Sequence, residues 1–183
     1  MYASSAKLFL LFLISLYAHS AYAGSEVLSS GPVFKKFGKI AAVDTSFNIP
    51  KDMKFKVAFD MSKAAEVGEP NRNLNTLGRF INMHVASGVE LENITLAMVV
   101  HGKAVADLAN DDFYGKRNDG ANNSNKSMVA SLTKQGVKII ICGQSAAYYD
   151  LKQSDLLPNV DMALSAMTAH AILVQQGFSL NPF

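Results

Sequence analysis

Apolar and polar positions along the chain follow two periods in turn. In "KFKVAFD", residues 54–60, they alternate among β-rich types, which predicts a strand ending at Asp60. The period then lengthens. In "NTLGRFINMHVASG", Leu77, Phe80, Ile81, His84 and Val85 share one helical face, and Gly88 ends the helix. "NITLAMVVHG" is a nearly continuous apolar run, as expected of a strand buried on both faces, and it closes at His101-Gly102.

"KAVADLANDDFYGK" opens as a short helix, but residues 110–125 turn into Asn, Asp and Gly with Tyr114 among them, a loop composition. A second helix is predicted over 126–135, closed by Gly136. "VKIIICG" reads as a third buried strand, ending at Cys142-Gly143. After Pro158 a last helix is predicted from about 160 to 176, with Asp161 near its positive N-terminal end and Gly177 beyond its C-terminus. Its Ala163, Ala166, Ala169 and Ala171 permit close packing, and "FSL" closes the chain as a short strand.

Strand and helix in alternation imply parallel strands joined by right-handed crossovers, hence a single layered α/β domain with a mainly parallel sheet flanked by helices. In such a sheet the carboxyl ends of the strands share the edge where ligands bind. Asp60, His101 and Cys142 each stand at one of those ends, although the sequence does not show that their strands are neighbours.

The N-terminus changes the picture by fixing the compartment. Lys7, an apolar run over 8–18 and the small-residue site Ala21-Tyr22-Ala23 form a secretory signal, with cleavage expected before Gly24. The run is about ten residues against the roughly twenty of a spanning helix, so no membrane span is expected after processing. The expected division is a signal peptide at 1–23, an N-terminal arm at 24–52 and the α/β domain at 53–183. The expected location is periplasmic or secreted. The formal charge of +2 falls to +1 once Lys7 is removed, because the signal holds no acid. Lys35, Lys36 and Lys39 are too sparse for nucleic acid and read as a solvated face. One cysteine cannot make an internal disulfide, so the thiol is either a buried inert residue or a used one.

"VVHGKAV", the polar loop with Tyr114, "GVKIIICGQSA" and "LLPNVDMALSAMTAHAILVQQGF" together resemble the DsrE/DsrF-like proteins, in particular their exported branch. "GPVFKKFGKI" followed by "FKVAFD" is similar to the opening of that branch. The resemblance implies a compact α/β fold and assembly into trimers or hexamers. In the cytoplasmic sulfur-relay members it also implies a cysteine that carries persulfide sulfur. Cys142 stands at the matching position here, whereas the signal peptide and the missing second cysteine depart from the relay pattern.

A sulfur carrier needs a thiolate, and a nearby imidazolium lowers the pKa that sets its population. His101 is the candidate for that charge. Gly143, Ser145, Ala146 and Ala147 leave backbone amides accessible beside the sulfur, a candidate anion cradle, with Gly143 and Gln144 as expected ligand contacts and Asp60 and Tyr114 completing the set. The bland readings stand beside these. Cys142 also fits a small apolar residue finishing a strand, His101 a strand cap, Asp60 a turn former, His84 a core histidine and His170 a packed or interface residue. Tyr148-Tyr149 read as a cover over the core.

Three functions of different class follow. One is sulfur handling, with Cys142 accepting sulfane sulfur from a small sulfur compound or a donor protein, His101 tuning it and the 110–125 loop covering it. Another is a non-catalytic small-ligand or metal-binding module, with His101, Cys142 and Asp60 as candidate ligands, and a third is a structural oligomer whose cysteine is core. No short ligand spacing such as CxxC supports a metal, and no cofactor is expected.

Overall fold

The computed structural model describes residues 27–181, so the segment read as a signal peptide lies outside the described residues. The sheet has five strands in the order β4-β3-β2-β1-β5, all parallel. These are β1 (Phe55–Met61), β2 (Ile94–Val100), β3 (Lys138–Cys142), β4 (Val160–Ala163) and β5 (Ser179–Asn181). The helices are α1 (Arg72–Ala86), α2 (Asp111–Arg117), α3 (Lys126–Lys134), α4 (Gly143–Tyr148) and α5 (Ala166–Gln175), with a 3-10 segment at Gly102–Leu108. No helix among the described residues is long and apolar enough to cross a membrane.

Strand alternation divides the core into two unequal layers. Val57, Phe59 and Met61 of β1, with Met98, Ile139 and Ile141, face α1 and α3, which bring Leu74, Leu77, Ile81 and Leu132. A fully buried side chain of this size contributes about 1.5–3 kcal/mol, so this layer dominates stability. The other face is floored by Ala58, Ala97 and Val99 and covered by Ala169 and Leu173 of α5 with Phe178. Small side chains there let α5 lie close to the sheet.

Two elements differ from the sequence reading. Residues 110–125 contain α2: the Asn110 side chain accepts from Phe113 N, Asp111 and Asp112 lie in the first turn, and Lys116 and Arg117 in the last. A capped, charge-matched helix is thus hidden in a loop-like composition. The predicted helix over 160–176 is two elements. Val160–Ala163 pairs with β3 as a strand, and Ser165 caps α5 by accepting from Thr168 N at 3.1 Å. Asp161 therefore lies exposed on a strand, not at a helix N-terminus. Tyr148 ends α4 and is 81% exposed, so only Tyr149 packs against the core.

A buried amide network ties the 110–125 segment down. Asn123 donates to the carbonyls of Asp107 and Ala109, and Asn125 accepts from Asn71 N at 2.7 Å. Asp107, on the 3-10 segment, accepts from Asn71 Nδ2 at 2.6 Å and Ala65 N at 2.8 Å. Burial nevertheless wins over both bonds and raises the Asp107 pKa. Between the unfolded pKa and the raised folded one, the native state holds a proton that the unfolded chain releases, so this group's contribution to stability falls as pH rises through that window. Asp107→Asn is expected to remove that slope from the pH dependence of the urea midpoint; parallel pH profiles for the two proteins would refute it.

Candidate functional site

The register brings the three predicted strand-end residues to neighbouring strands. Asp60 pairs with Val99, and Val100 with Ile141, so His101 and Cys142 stand side by side as the register continues. Alternation puts Asp60, His101 and Cys142 on the face that α5 covers, since Val99 and Ile140 pack there.

Asp60 is a bridge between two imidazoles. Its Oδ2 accepts from His101 Nε2 at 2.9 Å and its Oδ1 from His170 Nε2 at 2.8 Å. Burial pushes the carboxyl up, but the hydrogen bonds from His170 and His101 and their electrostatic pull outweigh it, and the pKa lies below the ordinary aspartate value. His170 Nδ1 is buried and has no hydrogen-bond partner among the described residues, so the Asp60 carboxylate is the one partner its ring nitrogens have. The sequence reads His170 as a packed or interface residue with no role at the site. It lies 110 residues from Asp60, and only the crossover of α5 brings them together.

Cys142 is the last residue of β3 and the N-cap of α4, 5% exposed. Its Sγ accepts from Ser145 N at 3.5 Å. Burial pushes the thiol up. The Ser145 hydroxyl and the backbone amides of Ser145, Ala166 and Gln144 then pull it further down, so its pKa is lowered from the ordinary thiol value. His101 is not among these donors; its Nε2 is engaged by Asp60. Ser145 Oγ also accepts from Gly102 N at 3.0 Å, which links the His101-Gly102 corner to the sulfur.

Gly143 is required by the approach of the next strand: a Cβ there would lie 2.6 Å from the Ala163 carbonyl oxygen. That contact draws the start of α5 over Cys142 and lets the Ala166 amide reach it. The Gln144 side chain spans the same gap, its Nε2 donating to Leu164 O at 3.3 Å. Gln144 thus acts on the sulfur through its backbone amide, while its side chain ties α4 to the segment before α5.

Tyr114 is 3% exposed in α2, and burial, then the Asp107 carboxylate, raise its phenol pKa. It packs in the core rather than at the thiol. The hydrogen bonds of residues 110–125 run to neighbours such as Asp107, Ala109, Asn71 and Tyr149, and none reaches Cys142. No group of three or more His, Cys, Asp or Glu side chains that could hold a metal ion occurs among the described residues.

Comparison with known proteins adds two findings. A family model described as the DsrE/DsrF-like family matches residues 56–182. A solved structure titled a protein of unknown function from Methanobacterium thermoautotrophicum is similar at a TM-score of 0.51 and 19% identity, over 71% of this chain and 100% of that one. That likeness speaks to the fold. No curated protein matches the chain significantly.

Proposed function

The chain belongs to the DsrE/DsrF-like family, and from that premise we propose that it handles sulfur through Cys142, which accepts sulfane sulfur as a persulfide. The observation that carries this reading is the donor set around the sulfur, one hydroxyl and three backbone amides that favour the thiolate against the cost of burial. In the proposed step the thiolate attacks the terminal sulfur of a polysulfide. A bond forms between that sulfur and Sγ, the donor's S–S bond breaks, and its electron pair leaves on the shortened donor. The thiol proton has already gone to solvent, and no outside oxidant is needed. The shortened donor leaves as its anion and takes a proton from solvent.

The 5% exposure of Cys142 supports the second reading, a binding or structural module whose cysteine is core. Iodoacetamide kinetics against pH separate the two. In the sulfur-handling reading the folded protein is alkylated with an apparent pKa below the roughly 8.5 of a free cysteine, and Ser145→Ala raises that pKa. A thiol that stays inert until denaturant is added favours the second reading.

We further propose that the protein is exported and forms a homo-oligomer. The signal-like N-terminus supports export. Leu164 at 72% exposure and Met167 at 80%, on the outward side of the α5 region, support assembly. A chain from its native host that retains Met1, or only monomer in sedimentation at micromolar concentration, would overturn these.

A further inference from the structure

The arm, α1 and the start of α3 enclose a cleft of about 610 Å³ that lies apart from Cys142. Lys36 and Lys39 of the arm and Arg72 and Arg79 of α1 line it, against a single carboxylate, Glu69. None of these four cations forms an ion pair among the described residues, whose three salt bridges all lie elsewhere. Four positive side chains converging with one carboxylate between them repel one another, an arrangement that costs stability unless an anion relieves it.

Two details sharpen the chemistry of that anion. Arg79 Nε donates to Lys39 O at 3.0 Å, which fixes the guanidinium while its terminal nitrogens keep no partner among the described residues. A fork held in this way is pre-organised for paired oxygens. At the start of α3, Asn125 makes no side-chain cap, and the amides of Ser127 and Met128, both lining the cleft, have no acceptor among the described residues. Free first-turn amides beside a cationic cluster suit the oxygens of a phosphate or sulfate group.

We propose that this cleft is a binding site for a small multivalent oxyanion of the phosphate or sulfate type. Arg79 and Arg72 grip its oxygens, Lys36 and Lys39 neutralise the remaining charge, and the α3 amides close the cradle. In sequence the lysines stand more than thirty residues from the arginines, and the docked arm makes one site of the two sparse groups.

Isothermal titration with pyrophosphate and, separately, with inorganic sulfate tests this on the full mature chain at fixed ionic strength. Saturable binding of either probe is expected, and whichever binds more tightly assigns the type. Arg72→Gln is expected to weaken it about tenfold, since one charge-assisted contact is lost. Arg72 is exposed and its side chain bonds nothing else, so the variant should fold as the wild type does. Lys36→Gln provides an independent second variant with the same direction. Lys116→Gln, on α2 and outside the cleft, should leave the affinity unchanged. Absence of saturable binding at millimolar probe, affinities unaltered by both cleft variants, or an equal loss with Lys116→Gln would each overturn the proposal. So would binding to anionic phospholipid vesicles alone.

Discussion

Exposure of the folded protein to polysulfide is expected to add about 32 Da, the mass of one sulfur atom, to the intact chain, and Cys142→Ser is expected to abolish the addition entirely. The effect should be all-or-none because the chain holds one cysteine and no second thiol can substitute. A serine hydroxyl is not ionised near neutral pH and does not attack sulfane sulfur. Loss of folding is not a competing explanation. Serine is a better N-cap than cysteine, so the variant keeps or improves the start of α4, where Cys142 now accepts from Ser145 N. Reduction with a dithiol should return the wild-type mass, since a persulfide is a reversible modification. A native mass unchanged by polysulfide, with labelling only after denaturation, would sink the sulfur-acceptor reading and leave Cys142 as a core residue.

What the sequence made legible at this site, and what it hid, divides along the distance between partners. Each strand end was visible because the apolar runs stop at Asp60, His101 and Cys142, and the sheet order β3-β2-β1 then makes those ends neighbours. The Asp60–His170 contact was not visible. Nothing in "TAHAIL" distinguishes a histidine that faces the sheet from one that faces solvent, because the helix is apolar nearly all round. The donors to the sulfur were half visible. Small residues after Cys142 announced accessible amides, but the Ala166 amide arrives only because β4 intervenes, and four residues of strand after Pro158-Asn159 look like the first turn of the helix that follows them. Tyr114 shows the opposite error. Reading 110–125 as a loop made its tyrosine a ligand contact, whereas the Asn110 cap and the Asp-Asp to Lys-Arg charge order were a helix signal open to inspection.

These placements separate two tasks at the sheet edge. The amides and Ser145 set the state of the thiol, and they need no histidine to do it. Asp60 instead holds both His101 and His170, tying α5 to the strand ends where Asp60 and His101 stand. The carboxylate's lowered pKa makes that tie a function of pH: its contribution is present above the ordinary aspartate pKa and is lost as pH falls through the lower folded value. Near neutral pH the tie is in place.

Stability should respond most to a residue far from this edge. Asn82→Leu is expected to cost about 2–4 kcal/mol and to release the arm over residues 27–52. Asn82 is 0% exposed on α1, and its side chain uses its full bonding capacity on the arm. Oδ1 accepts from Val33 N at 3.0 Å and Phe34 N at 2.9 Å, while Nδ2 donates to Phe34 O and Gly38 O, each at 2.9 Å. Leucine has similar bulk and none of these atoms, so two backbone amides and two carbonyls would lose their partners at once. Each stranded buried group costs about 1–3 kcal/mol, more in sum than the docked arm returns by burying Phe34 and Ile40. Undocking is then the cheaper outcome, and it caps the loss. It also exposes the contact between the Phe37 ring and Gly78, where a Cβ would lie 2.4 Å from the ring and which therefore exists only because position 78 has none. The sheet and its Cys142 edge should persist, since the arm adds no strand to it. Limited proteolysis should therefore cut the variant within 27–52 while leaving a resistant core, and the urea midpoint should fall. Asn82→Leu within about 0.5 kcal/mol of wild type, with an uncut arm, would show that other contacts hold the arm in place.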